Sequence, residues 1–180
     1  MTQHQLDARR CGLIPGEHEP EFFAKHLSAY HFLKLAARGK SILEVGFGDG
    51  YGMNYLLGTA AHVTGVDIAP DNISLASSKY PHRDLQFIHF DGYRLPFADN
   101  HFDLVCSFQV IEHIPEARMT EWLNEVRRVL KPGGAFYVST LNLKNAQKPG
   151  CVYEKNIDHE KEFFAWELEA LLGQVFPSTR

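Results

Sequence analysis

Four glycines stand at alternate positions in the stretch LEVGFGDGYG, residues 43–52, directly behind a short apolar run. A glycine inside regular structure costs roughly 0.5–1 kcal/mol relative to alanine, so four of them are not neutral filler. They either form a tight turn or let backbone N–H groups approach a ligand closely where a strand passes into a helix. The residues that share this part of the fold decide between the two.

Three other apolar runs also end in residues that could contact a ligand. Asp67 lies at the end of residues 63–68, Asp91 follows residues 85–90, and Phe108-Gln109 ends the run that begins at Phe102. A carboxylate offers two acceptor oxygens, which suit a pair of hydroxyls or an amino group. Ligands bind at the carboxyl ends of parallel strands, so all these residues are predicted to line one crevice with the glycines.

Short apolar runs alternate with segments of helical periodicity along the chain. Strands are predicted at 41–45, 63–68, 85–90, 102–108 and 135–139, with helices beginning near residues 21, 53, 70, 115 and 162. Residues 141–160 are predicted to be irregular. This order indicates an α/β fold with a doubly wound, mostly parallel sheet and helices on both faces.

The 180 residues fit a flexible N-terminal arm, residues 1–20, and a single domain, residues 21–180. The net charge of −4 argues against nucleic acid as a partner. No apolar run is long enough to span a membrane, and the N-terminus lacks an apolar signal region. Three widely spaced cysteines suit a reducing compartment, so a cytoplasmic location is predicted. No spacing typical of metal ligands occurs, so no metal is expected.

The glycine spacing does not match the dinucleotide fingerprint G-x-G-x-x-G, because Tyr51 occupies the third glycine position. The pattern E-x-G-x-G-x-G instead resembles the first motif of class I S-adenosylmethionine-dependent methyltransferases, a Rossmann-like family. Further stretches are similar to later motifs of that family, in the same order: VTGVDI, DG followed by LPF, FDLV, VIEHI and LKPGG.

The resemblance implies that the first motif contacts the methionine part of S-adenosylmethionine, and of its product S-adenosylhomocysteine. Gly46, Gly48 and Gly50, with Phe47 between them, would let the backbone approach the cofactor. Glu44 would orient the cofactor's ammonium group or hold the amides of the loop. A plain turn at the glycines and a purely structural Glu44 are the alternatives.

The resemblance also assigns the nucleoside part of the cofactor. Asp67 would accept from both ribose hydroxyls, with Ile68 beside it, and the ligand-free protein would depend little on this carboxylate. Asp91 would accept from the adenine amino group, and Gly92 would offer an amide. A helix cap at Asp67 and a turn at Asp91 are the alternatives.

Three aromatic or polar residues complete the implied cofactor site. Phe108 and Gln109 would contact the methionine portion, and Tyr30 of the first helix would lie over the cofactor carboxylate. Packing in the core is an equal alternative for Phe108 and Tyr30. His113 would act as general base if the acceptor carries a proton; otherwise Glu112-His113 stabilises the loop.

The function that these motifs favour is methyl transfer to a small-molecule acceptor by in-line displacement. A non-catalytic S-adenosylmethionine-binding module or partner subunit is the alternative, and a nicotinamide-dependent oxidoreductase is disfavoured by the glycine spacing. Members of the family normally end with an antiparallel strand pair, which residues 174–176 could at most begin. The pair is therefore expected to be missing or incomplete, leaving the edge at the fifth strand for a homodimer contact or for cover by residues 141–160.

Overall fold

A single parallel sheet of five strands lies at the centre of the described part of the chain. The computed structural model describes residues 20–147 and 152–176. The strands are β1 Ser41–Val45, β2 His62–Asp67, β3 Leu85–His89, β4 Phe102–Phe108 and β5 Leu130–Ser139. Their order is β3-β2-β1-β4-β5, and every neighbouring pair is parallel. The predicted doubly wound parallel sheet is confirmed.

Helices cover both faces of this sheet. They are α1 Pro20–Ala36, α2 Tyr51–Leu56, α3 Pro70–Lys79, α4 Met119–Val129, α5 Leu143–Ala146 and α6 Ala165–Gly173, with short 3-10 turns at Ile111–His113 and Glu116–Arg118. Because side chains alternate along a strand, Ile42 faces the core formed with α1, α2 and α3, while Leu43 faces the core formed with α4 and α6.

The helix predicted to begin near residue 115 is α4, which begins at Met119 after the 3-10 turn Glu116–Arg118. Trp122, Leu123 and Val126 are buried against the sheet, while Arg127 and Arg128 lie in the last turn. Arg128 donates to the backbone oxygens of Leu95 and Phe97 and pairs with Glu125. These bonds fix the loop between β3 and β4 against the helix.

Element boundaries differ from the prediction where local bonds override periodicity. The predicted helix at 53–61 starts at Tyr51 and ends at Leu56, because Leu57 is extended and Gly58 has φ +75°. The helix predicted from residue 162 begins at Ala165, after Glu167 accepts the Phe164 amide at 2.8 Å. Residues 143–146 form the short α5 inside the segment predicted to be irregular.

The described residues contain no antiparallel strand pair, and β5 lies at the edge of the sheet. Val175, in the stretch considered for a further strand, is buried and accepts a hydrogen bond from Arg127 through its carbonyl. The arm predicted at 1–20 lies outside the described residues, apart from Pro20, which begins α1. None of the described helices combines the length and the apolar character that crossing a membrane requires.

Candidate functional site

The glycine loop joins β1 to α2 at the carboxyl edge of the sheet. Gly46, Gly48 and Gly50 have φ of +80°, +56° and +85°, in the left-handed region that disfavours side chains. A Cβ on Gly46 would lie 2.5 Å from Cγ2 of Val110, and one on Gly50 would lie 3.0 Å from the Cβ of Ala76. Close packing against neighbouring side chains is therefore one reason why Gly46 and Gly50 must be glycine.

Asp67 ends β2 and holds this loop directly. The side chain is only 5% exposed, and its carboxylate accepts from the amides of Gly48 and Ala69, each at 2.9 Å. Burial raises the pKa of Asp67, and these backbone hydrogen bonds oppose the shift. The expectation that the ligand-free protein depends little on this carboxylate is wrong, because the carboxylate satisfies two backbone amides. The side chain of Asn72 and the backbone of Ile68 also hydrogen-bond this carboxylate, so a ribose hydroxyl would share an oxygen with these donors or replace one of them.

Glu44 lies in the middle of the sheet, on β1, and is fully buried. One carboxylate oxygen accepts a hydrogen bond from the Tyr30 hydroxyl, and the other, Oε2, has no partner among the described residues. The pKa of Glu44 is raised to about 8, mainly by burial and also by the charge of Asp67, against the lowering effect of the Tyr30 hydrogen bond. A buried oxygen without a partner at the end of a strand marks a place for a donor, and a cationic donor would stabilise the ionised form.

The ring of Tyr30 packs beneath the loop. A Cβ on Gly52 would lie 2.0 Å from this ring, and the ring meets Phe108 edge to face at 4.9 Å between centroids. Its hydroxyl is directed at Glu44. The family resemblance implies that Tyr30 lies over the cofactor carboxylate. In the structure the Tyr30 hydroxyl donates to Glu44, and the half-buried Phe108 lies beside the ring.

Asp49 is a member of the site that the sequence analysis did not single out. Although it lies within the glycine stretch, it is almost fully buried and accepts from Lys79 at 2.9 Å and from the Tyr80 hydroxyl at 3.0 Å. These bonds join the glycine loop to the end of α3. The only sequence signal is an acidic residue among glycines, since its partners lie thirty residues away.

Among the predicted nucleoside residues, Ile68, Asp91 and Gly92 lie near the surface, whereas Asp67 is buried. Asp91 is exposed and accepts from the Tyr93 amide at 2.9 Å, which makes a local turn. Gly92 has φ +81°, and a Cβ there would lie 3.5 Å from Cγ2 of Ile68. Ile68 is itself 62% exposed, so an apolar side chain lies open beside a carboxylate.

Gln109 adopts a backbone conformation that is unusual for a residue with a side chain. Its φ is +59°, its amide donates to the Ser139 carbonyl at 2.9 Å, and its side chain donates to the Ser139 hydroxyl at 3.2 Å. Such conformations concentrate at functional sites, where surrounding contacts hold them in place. The carboxyl ends of β4 and β5 are thereby joined beside the glycine loop.

His113 lies at the end of the 3-10 turn after β4, where it meets a segment from far along the chain. Its Nδ1 is 2.9 Å from the Asp158 carbonyl oxygen, and its ring centroid is 5.0 Å from that of His159. The carbonyl of Glu112 accepts from the amides of Glu160 and Lys161, at 2.7 and 3.1 Å. Glu112, His113 and His159 each place one potential ligand atom within 4.8 Å of the others. The sequence analysis did not predict this group, because only the fold brings His159 to Glu112 and His113.

Known proteins share both this fold and this sequence pattern. The profile described as "Methyltransferase domain" matches residues 43–138, which include the glycine loop, Asp67, Asp91 and His113. The chain belongs to the class I S-adenosylmethionine-dependent methyltransferases. Their cofactor is S-adenosylmethionine.

Two curated relatives come from Mycolicibacterium smegmatis. A probable S-adenosylmethionine-dependent methyltransferase is 36% identical over 160 residues, covering 88% of this chain and 60% of that protein. A fatty-acid O-methyltransferase is 36% identical over 127 residues, covering 68% and 46%. The chain thus spans about half to three-fifths of the length of these relatives. The crystal structure of an S-adenosylmethionine-dependent methyltransferase from Aquifex aeolicus superposes with a TM-score of 0.68 at 18% identity, covering 88% of both chains, and shares the fold.

The residues of the methyltransferase site fit this cofactor chemically. Glu44 Oε2 is a buried acceptor without a partner among the described residues, and the cofactor carries an ammonium group. Asp67 presents carboxylate oxygens at the end of β2, and Ile68 with Asp91 combines an apolar surface with a carboxylate, as a purine amine requires. Acceptors are therefore present for the ammonium group, the ribose and the adenine amine of the cofactor.

Proposed function

We propose that this chain binds S-adenosylmethionine at the glycine loop and transfers its methyl group to a small apolar acceptor. The observation that carries the proposal is the buried Oε2 of Glu44, which has no partner in the described ranges and lies beside a loop of left-handed glycines. A buried carboxylate oxygen without a donor is unfavourable, and an ammonium group would satisfy it. A nicotinamide dinucleotide has no ammonium group to donate to this oxygen, which favours S-adenosylmethionine as the cofactor.

Each side chain then has a binding role. Glu44 accepts from the ammonium group, and Asp67 adds a ribose hydroxyl to the two amides that it already binds. Asp91 accepts from the adenine amine while Ile68 covers one face of the purine. When bound, the sulfonium supplies an activated methyl group, so the protein's contribution is to align the acceptor and exclude water. Phe108 and Gln109, after β4, are proposed to border the methyl group.

The acceptor is proposed to be lipid-like, with a carboxylate as the preferred methyl-accepting group. Support comes from the fatty-acid O-methyltransferase among the relatives. Two apolar side chains in the segment that contacts His113 are also almost fully exposed, Val152 at 91% and Ile157 at 94%. Such surface is available to an acyl chain. A carboxylate is already ionised at neutral pH and needs no base, so the general-base role of His113 stays a prediction from the sequence.

Calorimetric titration separates the proposal from its alternatives. S-adenosylhomocysteine is expected to bind and NAD is not; at about 100 times its dissociation constant, the ligand should stabilise the protein by about 2.7 kcal/mol. With labelled S-adenosylmethionine, long-chain fatty acids should give methyl esters, while the matching alcohols give no product. Binding of NAD alone would contradict the cofactor assignment. Binding of S-adenosylhomocysteine without turnover on any acceptor would support a non-catalytic binding module instead.

A further inference from the structure

Three side chains that the cofactor does not need meet at the carboxyl edge of the sheet. Glu112 and His113 belong to the 3-10 turn after β4, and His159 belongs to the segment that lies across that turn. Their potential ligand atoms all lie within 4.8 Å of one another. We propose that Glu112, His113 and His159 bind a zinc ion.

One oxygen of the carboxylate in this group lacks a hydrogen bond of ordinary geometry among the described residues. Burial raises the pKa of this carboxyl, although Thr140 and the backbone of Glu112 lie close enough to lower it in part. Glu112 is 1% exposed, and its Oε2 makes no hydrogen bond with any of the described residues. A buried carboxylate oxygen is normally paired, because leaving it unpaired costs a large part of its lost hydration. A cation bound between Glu112 and the two histidines would supply the missing partner.

The hydrogen bonds of both histidines leave the correct nitrogen available. Nδ1 of His113 lies 2.9 Å from the Asp158 carbonyl, and Nδ1 of His159 lies 2.7 Å from Oε1 of Glu162. Both partners only accept hydrogen bonds, so each Nδ1 carries a proton, and in the neutral imidazole Nε2 is then the nitrogen with the free lone pair. Histidine ligands of metals ordinarily donate their other N–H to a backbone carbonyl or a carboxylate in this way. The Nε2 of His159 has a long 3.4 Å contact with the Asn156 amide, which a metal would replace.

The donor set selects the metal. Two imidazoles with one carboxylate match zinc sites that keep a fourth position open, whereas magnesium and calcium prefer oxygen ligands throughout. Zinc–ligand bonds of about 2.0–2.1 Å place tetrahedral donors about 3.4 Å apart, so the three groups need to close by at most about 1.4 Å. His113 is exposed and can turn about its hydrogen bond to Asp158, and its exposure also gives the ion a path from solvent.

The test is zinc binding by the chelator-treated full chain, which requires neither S-adenosylmethionine nor turnover. A competing colorimetric indicator should show one zinc per chain at the site, with magnesium failing to compete. His113→Ala, His159→Ala and Glu112→Gln should each weaken zinc binding by more than about 100-fold, since even residues behind the ligands are worth 10- to 100-fold. Glu162→Gln, which alters the partner of His159, should weaken it by about 10- to 100-fold.

His82→Ala is the matched control, because His82 is an exposed histidine outside the group with an acidic neighbour of its own, Asp84. It should leave zinc affinity unchanged. S-adenosylhomocysteine affinity and the melting temperature of each variant show whether the fold is intact; His113→Ala, with an exposed side chain, is the variant least dependent on packing. An equal loss in His82→Ala would overturn the site. So would a wild-type chain that binds no zinc, since the group would then only hold residues 156–163 in place.

Discussion

Replacing Asp67 by alanine should affect both stability and cofactor affinity. The substitution removes the acceptor for the amides of Gly48 and Ala69, and bonds to a charged acceptor are worth about 1.5–3 kcal/mol each. The burial that raises the pKa of this carboxyl works against them, so we expect a net loss of about 2–3 kcal/mol. At about 2–4 °C per kcal/mol, the ligand-free protein should melt about 5–10 °C lower. Asp67→Asn should lose less, because one amide oxygen still accepts.

Affinity is measured on the same proteins by calorimetric titration. Loss of the ribose contact in Asp67→Ala should weaken S-adenosylhomocysteine binding by about 10- to 100-fold, at 1.4 kcal/mol per decade. Asp91→Ala provides the comparison, because that carboxylate is exposed and accepts one local amide. It should lower affinity while the melting temperature stays within about 2 °C. An unchanged melting temperature in Asp67→Ala would refute its role in holding the loop, and unchanged affinity would refute the ribose contact.

Three further outcomes follow from the buried groups and the sheet edge. Because the folded-state pKa of Glu44 is raised to about 8, stability of the ligand-free protein should fall as the pH rises from about 4.5 to 8, and thermal melts of Glu44→Gln should show a flatter profile. Gly52→Ala should cost about 1–3 kcal/mol in denaturant titration, because its Cβ would overlap the Tyr30 ring; Gly173→Ala, with open space around it, should be neutral. Residues 136–139 of β5 should exchange their amides slowly if copies pair through this edge, and a monomer with rapid exchange there would exclude that pairing.

The strand positions and the parallel sheet could be predicted because apolar runs and helical periodicity are local signals. β1 and β4 were predicted with their observed ends, and the other strands within a few residues apart from the start of β5. That strand begins at Leu130, directly after α4, although the turn residues Lys131-Pro132-Gly133-Gly134 indicated a later start. The end of α2 was missed because a single left-handed glycine, Gly58, terminates the helix against its apolar pattern.

The residues of the candidate site were likewise predictable only where local signals mark them. Glu44, Asp67 and the glycines each lie at or just after the carboxyl end of a strand, and parallel strands bring these ends together. The pairing of Asp49 with Lys79, and of His113 with His159, depends on how loops cross after the sheet has formed. No spacing in the sequence encodes such a contact.

Two aspartates hold the glycine loop in place, and this affects the thermodynamics of ligand binding. Asp67 holds the loop from the sheet, and Asp49 holds it from the end of α3, so the loop is fixed on two sides before any ligand arrives. A ligand that meets an already ordered loop does not bear the entropic cost of ordering it. Binding should therefore change the backbone order of residues 46–50 very little. Weakening Asp49, which has no proposed ligand contact, should make the enthalpy of binding more favourable while the entropy becomes less so.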